Sequence, residues 1–286
     1  MWKDAFRRLR RNPAAVAGAV IVGLFILVAL LAPLLAPYGG NDLPGRTNIT
    51  PTNIPGPGAI DGYPLGLDRF GGDVLSKLLW GARASLIIGV VSTALGLLGG
   101  MLLGVLAGGL GGWGDSVIMR FVDILLSVAN LLLAVSIAAM MGQSSLAIMI
   151  AIGVSQVPIF ARLLRSSMIS QRSADYILSA QTLGLSRRTI TMSHLLPNST
   201  GPLIVQATLT LATAVIDAAA LSFLGLGGGL PQTAEWGRML TYAQSELGVA
   251  PQLAFLPGIC IAVTALGFTL LGESLRESLD PKTRRK

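Results

Sequence analysis

The chain has 286 residues, 52% of them hydrophobic and only 12% charged, with a net charge of +7. A soluble domain carries about twice that charged fraction, so the composition excludes a water-soluble globular protein. Cys260 is the only cysteine, which excludes an intrachain disulfide; buried, it behaves as a small hydrophobe.

The apolar residues fall in runs long enough to cross about 30 Å of hydrocarbon. Six spans are read, at 15–36, 85–109, 118–141, 146–166, 202–226 and 251–272. The first follows Lys3, Arg7, Arg8, Arg10 and Arg11, and Val20 to Leu31 alone holds ten Val, Ile, Leu or Phe residues. That stretch contributes roughly −3 to −6 kcal/mol towards insertion. The run is too long for a cleavable leader and no Ala-x-Ala site follows, so it reads as an uncleaved anchor.

Orientation follows the basic residues. An N-terminus inside places sixteen of the 21 Lys and Arg in the cytoplasm. These include Arg120, Arg162, Arg165, Arg172, Arg187, Arg188 and the tail Arg276, Lys282, Arg284, Arg285 and Lys286. Arg46, Arg69, Lys77, Arg83 and Arg238 remain outside. Both termini are therefore expected in the cytoplasm. The basic residues cluster at membrane edges, where they meet anionic lipid headgroups. The charge thus implies membrane lipid as a partner and excludes nucleic acid.

The resulting organisation is a tail and anchor over 1–37, an external loop over 38–83, a five-helix core over 84–275 and a basic tail over 276–286. Within the external loop, Pro51, Pro55, Pro57 and Pro64 exclude a continuous helix. Val74, Leu75, Leu78 and Leu79 then predict an interfacial helix leading into the second span. That span carries Gly96, Gly100, Gly104 and Gly108, one every four residues on a shared helix face. Such a stripe allows close helix packing, or leaves room along a translocation path. Gly109-Leu110-Gly111-Gly112-Trp113-Gly114 fits a dinucleotide fingerprint formally. It lacks the strand and helix of a βαβ unit, so it reads as the turn between spans two and three.

Arg120 and Asp123 share a face near the cytoplasmic end of span three, where they are expected to pair with each other or with a sister subunit. Asp217 is the one acid deep in an apolar span, so it faces protein or water rather than lipid. A partner on another helix is the favoured reading, with a substrate contact as the alternative. His194 is the sole histidine, and no cluster of ligands accompanies it. It is expected to pack or cap locally, with no metal site. The chain has no Gly-x-x-x-x-Gly-Lys-[Ser/Thr], His-Glu-x-x-His or Gly-x-Ser-x-Gly, and no nucleophile with a base in reach. No catalytic residue or bound cofactor is expected, and the chain is not read as an enzyme.

Between two apolar runs lies the polar stretch Asp175 to Asn198, which cannot sit in lipid and must project as a folded loop. Its pattern, Tyr176-x-x-Ser179-Ala180-x-x-x-Gly184 followed by Leu196-Pro197-Asn198, resembles the coupling loop of ATP-binding-cassette importer permeases. The family's acidic-Ala-Ala start is replaced here by Leu178-Ser179-Ala180. Pro64-Leu65-Gly66-Leu67-Asp68 through Leu75, and Gly81-Ala82-Arg83, resemble segments of C-type dipeptide and oligopeptide permeases, with Leu67 for the usual Thr and Gly72 for the usual Arg. Leu221 to Gly227 and Glu235 to Leu240 extend the likeness.

The resemblance implies an all-α polytopic membrane protein with six transmembrane helices and the type I ABC importer permease fold. It also implies two short helices about Gly184 that dock on a cytoplasmic ATPase through the 167–200 loop. Tyr176, Ser179, Ala180, Gly184, Leu185, Arg187, Arg188, His194, Pro197 and Asn198 are the residues that would carry the coupling. The implied partners are a homologous second permease, two ABC ATPase domains that hold ATP and Mg, an extracytoplasmic peptide-binding protein and a peptide substrate. The implied location is the bacterial inner membrane. Related permeases import nickel complexes or other small solutes. An ion-driven secondary transporter is the rival of another class, although it predicts carboxylates in repeated halves, which the sequence lacks. The family often has Glu one position after Asp217, where this chain has Ala218.

Overall fold

The computed structural model describes residues 9–50, 53–230 and 232–279. The basic residues Lys3, Arg7, Arg8, Lys282, Arg284, Arg285 and Lys286 therefore lie outside the described residues. Regular structure among the described residues is helical, apart from isolated bridges at Thr50–Asn53 and Leu67–Asp73.

The helices are α1 (Pro13–Leu35), α2 (Val74–Leu110), α3 (Gly112–Ser127), α4 (Asn130–Met141) and α5 (Ser145–Gln171). After them come α6 (Asp175–Thr182), α7 (187–198), α8 (Thr200–Phe223), α9 (Trp236–Ala243) and α10 (Gln252–Leu279). Helices α1, α2, α5, α8 and α10 are each long and apolar enough to cross a membrane; α3 and α4 are so only as a pair bent by 92°, the geometry of a broken span or of a re-entrant loop. The run read as one span at 118–141 is thus not one continuous helix. Its break falls at Val128–Ala129, where Val128 and Ala129 are extended (ψ 137° and 132°).

Helix α2 starts at Val74, inside the stretch expected to form a separate interfacial helix. Asp73 caps it, accepting from Ser76 N at 2.9 Å and Ser76 Oγ at 2.6 Å. With no proline between Val74 and Leu110, nothing interrupts the ladder, and the interfacial turn and the span are one helix. It ends at Gly111 and Gly112, both at positive φ (66° and 62°), which makes the tight reversal into α3.

Helices α2 and α5 form the most extensive pair. The glycine stripe is the reason. A Cβ on Gly96 would meet Gln156 Cβ at 2.9 Å; one on Gly104 would meet Leu164 Cβ at 2.9 Å; one on Gly108 would meet Met168 Sδ at 3.0 Å. The backbones approach so closely only because those side chains are absent. Helix α1 lies against α10 through Gly18 and Gly267, with Val22, Phe25, Ala265 and Phe268 in the shared core.

The two ends of the bundle differ. One carries Asn12, which N-caps α1 through Ala14 N (3.0 Å) and donates to Glu277 near the end of α10 (3.2 Å). The 172–199 loop lies at this same end. The opposite end is capped by residues 36–50 and 53–73 packed on 224–230 and 232–251. There Trp236 is fully buried and donates Nε1 to Leu78 O at 3.1 Å, while Arg69 reaches Ser245 Oγ at 2.8 Å. Phe70 meets Tyr242 edge to face, centroids 5.1 Å apart.

Candidate functional site

The loop at the termini end is built around its glycine. Helix α6 closes on Gly184, whose φ of +76° is left-handed. Gly184 N donates to Gln181 O at 3.0 Å, and Leu185 N to Ala180 O at 3.2 Å. This is a Schellman closure, which uses the last carbonyls of α6 and turns the chain sharply. Ser186 restarts the helix by accepting from Thr189 N at 3.2 Å. The expected pair of short helices about Gly184 is therefore present. The second is not regular: Ile190–Leu195 is π-wound. Pro197, one turn on, has no N–H for the Ser193 carbonyl, which disfavours α-geometry there.

One face of the loop is buried. Ile177, Ala180, Ile190 and Leu195 join Phe160, Leu164 and Met168 of α5 and Leu203 of α8 in a single core. The loop is thus packed onto α5 and α8 rather than hanging free. The other face is open, with Leu183 81% exposed. Tyr176, Ser179, Leu185, Arg187 and Arg188 are exposed beside it. Side chains clasp the base. Tyr176 Oη donates to Gln171 Oε1, Gln171 Nε2 donates to Asn198 O at 2.8 Å, and Asn198 Nδ2 donates to His194 O at 2.8 Å. Arg172 donates to Gly108 O, fixing the loop to the end of α2. His194 takes part through its backbone, as a local cap acceptor.

Two ion pairs strap α3 to α5 near this end. Arg165 binds Asp115 with Nε at 2.5 Å and Nη2 at 2.6 Å. Asp123 pairs with Arg162 at 2.5 Å, both side chains more than half exposed. Asp123 therefore does not take Arg120 as partner within this chain. Helix α3 packs against α5, so its acids meet the arginines there, while Arg120 stands exposed.

Inside the bundle, Asp217 of α8 accepts from Asn130 Nδ2 at 3.0 Å, so a partner on another helix is present, at the first turn of α4. At the cap end, Glu235 N-caps α9, taking Gly237 N at 2.8 Å and Arg238 N at 3.0 Å. Burial pushes its carboxyl up from the usual range, opposed by these two N–H groups. Gln171, Asn130, Asp115, Arg165 and Glu235 were not singled out from sequence for these contacts. Asp115 and Arg165 stand 50 residues apart, and the Gly111–Gly112 turn at the end of α2, which packs on α5, places them side by side. A Glu-Trp-Gly start to α9 was the one available signal for a cap.

The geometry agrees with comparisons to known proteins. Residues 100–285 match the family of binding-protein-dependent transport system inner membrane components. Residues 1–53 match the N-terminal TM domain of oligopeptide transport permease C. A dipeptide transport system permease protein from Alkalihalophilus pseudofirmus is 41% identical, over 99% of this chain and 90% of its own. A glutathione transport system permease protein from Pectobacterium atrosepticum is 37% identical, over 99% and 92%. Among solved structures, the inward-facing MetNI methionine ABC transporter superposes with a TM-score of 0.59 at 18% identity, over 71% of this chain and 97% of that chain. The last likeness establishes the fold alone.

Proposed function

Because this chain belongs to the family of binding-protein-dependent transport inner membrane components, and has the fold of an ABC importer permease, we propose that it is one of two membrane subunits of a peptide importer. The observation that carries the peptide reading is its near full-length similarity to permeases named for dipeptides, at 41% and 38% identity. Relatives named for glutathione, itself a tripeptide, keep the same chemistry in view. Nickel complexes are the alternative cargo.

In this reading the 175–198 loop docks on a cytoplasmic ATPase through Leu183 and its exposed neighbours. The buried face, continuous with α5 and α8, makes it a lever. Closure of two ATPase domains around ATP and Mg pushes on Leu183, Leu185 and the Arg187–Arg188 pair. The rigid Schellman turn passes that push to α5 and α8, and the bundle changes the side to which its path opens. No reacting group in this chain takes part in hydrolysis. The termini end is then cytoplasmic, and the cap at the opposite end faces the binding protein that delivers peptide. The membrane is the bacterial inner membrane.

The test is reconstitution of the co-purified complex in liposomes with binding protein supplied outside. Uptake of labelled dipeptide, glutathione and a nickel chelate is compared with and without vanadate. Vanadate-sensitive dipeptide or glutathione uptake supports the proposal. Nickel uptake alone would replace the cargo, and vanadate-insensitive uptake driven by an ion gradient would replace the mechanism.

A further inference from the structure

Helix α8 carries a polar stripe along an otherwise apolar span. Gln206, Thr210, Thr213 and Asp217 are spaced by four, three and four residues, which on a helix places them within about 60° of one another. Thr210 is buried and accepts from Gln206 Nε2 at 3.3 Å, whereas Thr213 is exposed and Asp217 half-buried. An open polar stripe on a membrane helix faces water or protein rather than lipid.

At the upper part of the stripe the hydrogen bonding is incomplete. Asp217 uses one carboxylate oxygen for Asn130 Nδ2, and among the described residues no Lys or Arg forms an ion pair with it. The carboxylate also fixes the Asn130 amide, since the reversed amide would turn oxygen towards oxygen. That leaves Asn130 Oδ1 buried with no donor. The site therefore presents a negative charge without a counter-charge beside a buried acceptor without a donor. A primary ammonium, with one positive charge and three N–H donors, supplies both.

We propose that Asp217 and Asn130 Oδ1 form a subsite for the amino-terminal ammonium of the transported peptide. The proposal rests on the peptide-import reading and adds the group by which the permease recognises its cargo. Every unblocked α-peptide carries that ammonium, as does glutathione, so the subsite would hold a range of side chains in one register. A lysine side chain offers the same chemistry, and the two sources are separable by experiment.

The experiment uses the whole reconstituted complex and compares Asp217→Asn with Asp217→Glu, with uptake normalised to assembled complex. Ala-Ala, whose only cation is its amino terminus, should enter at least roughly tenfold more slowly in Asp217→Asn, the size expected for one lost charge-assisted bond. Asp217→Glu should restore much of the rate. Unchanged uptake in Asp217→Asn would overturn the subsite, as would a loss confined to Lys-containing peptides. As a check independent of Asp217 substitutions, Thr213→Cys in a Cys260→Ser background is turned over with copper(II)–phenanthroline added to accept the two electrons, the two thiol protons leaving to water. It should be trapped as a disulfide by Cys-Ala in preference to Ala-Cys. Equal trapping, or none, would also overturn it. Failure of the wild-type complex to import any dipeptide would instead defeat the peptide reading itself.

Discussion

Arg165 of α5 holds Asp115 of α3 through two nitrogens, Nε at 2.5 Å and Nη2 at 2.6 Å. This fork fixes α3 against the span that feeds directly into the 172–199 loop. Planar, two-point recognition is particular to arginine; lysine keeps the charge but loses the fork. The side chains are partly exposed, so screening keeps the stability effect near ~1 kcal/mol. Arg165→Lys is expected to lower the thermal midpoint of the purified complex slightly, and Arg165→Gln further. In a double-mutant cycle, Asp115→Asn should remove most of the difference; independent, additive effects would show that the pair is not coupled.

The glycine seam predicts a contrast between two glycines. A Cβ on Gly100 would stand 2.8 Å from Val157 O and 3.0 Å from Ala161 N. Backbone cannot yield as a flexible side chain does, so Gly100→Ala should cost about 1–3 kcal/mol. Gly23 of α1 has nothing within 4 Å of such a Cβ, and Gly23→Ala should be neutral or stabilising by up to about 1 kcal/mol. Thermal unfolding in detergent measures both, and equal effects would contradict the close α2–α5 packing.

Glu235 makes the cap end pH-sensitive. Its folded carboxyl is raised by burial, so the folded chain binds that proton more tightly than the unfolded chain. The stability from this site is full below the unfolded value and falls as pH rises through the elevated folded one. Glu235→Gln keeps an acceptor for the α9 N-terminus and does not titrate. Protease nicking within 224–251, followed against pH, should rise with pH in the wild type and stay flat in the variant. A wild-type cap that tightens as pH rises would refute this.

Gln171 joins two ends of the 175–198 loop, holding Tyr176 Oη and Asn198 O. Gln171→Ala should leave the buried Ile177–Leu195 core intact while loosening the loop's base. The expected result is normal assembly with fewer peptides moved per ATP, by about two- to tenfold for a lost hydrogen bond or two. Unaltered stoichiometry of peptide to ATP would show that the clasp carries no force.

Much of this was readable in the residues. Run length marked the spans, four-residue spacing marked the glycine face, and Gly184 marked the turn that only a residue free at positive φ makes without strain. The break at Val128–Ala129 was not readable. The Ser127-Val128-Ala129-Asn130 stretch has neither Gly nor Pro, and the apolar run continues through it, so the bend is set by tertiary packing. The packing of α3 on α5 was hidden as well, and local spacing suggested Arg120 for Asp123 where the fold supplies Arg162. The continuity of α2 through Val74 was obscured for a different reason. An N-cap at Asp73 is a local signal, but the amphipathic turns after it look like a separate interfacial element.

The central claim is that the 175–198 loop transmits ATPase closure to the bundle, and Gly184→Asp tests it most directly. Nothing lies within 4 Å of a Cβ at this position, so the substitution adds strain at a φ of +76° without a steric clash. The cost is about 1–2 kcal/mol, confined to the turn. Peptide-stimulated ATPase activity would be measured in membranes with equal amounts of inserted wild-type and variant chain. The account predicts that the variant inserts normally but loses that stimulation, through failed assembly or failed coupling. Wild-type stimulation from the inserted variant would contradict it.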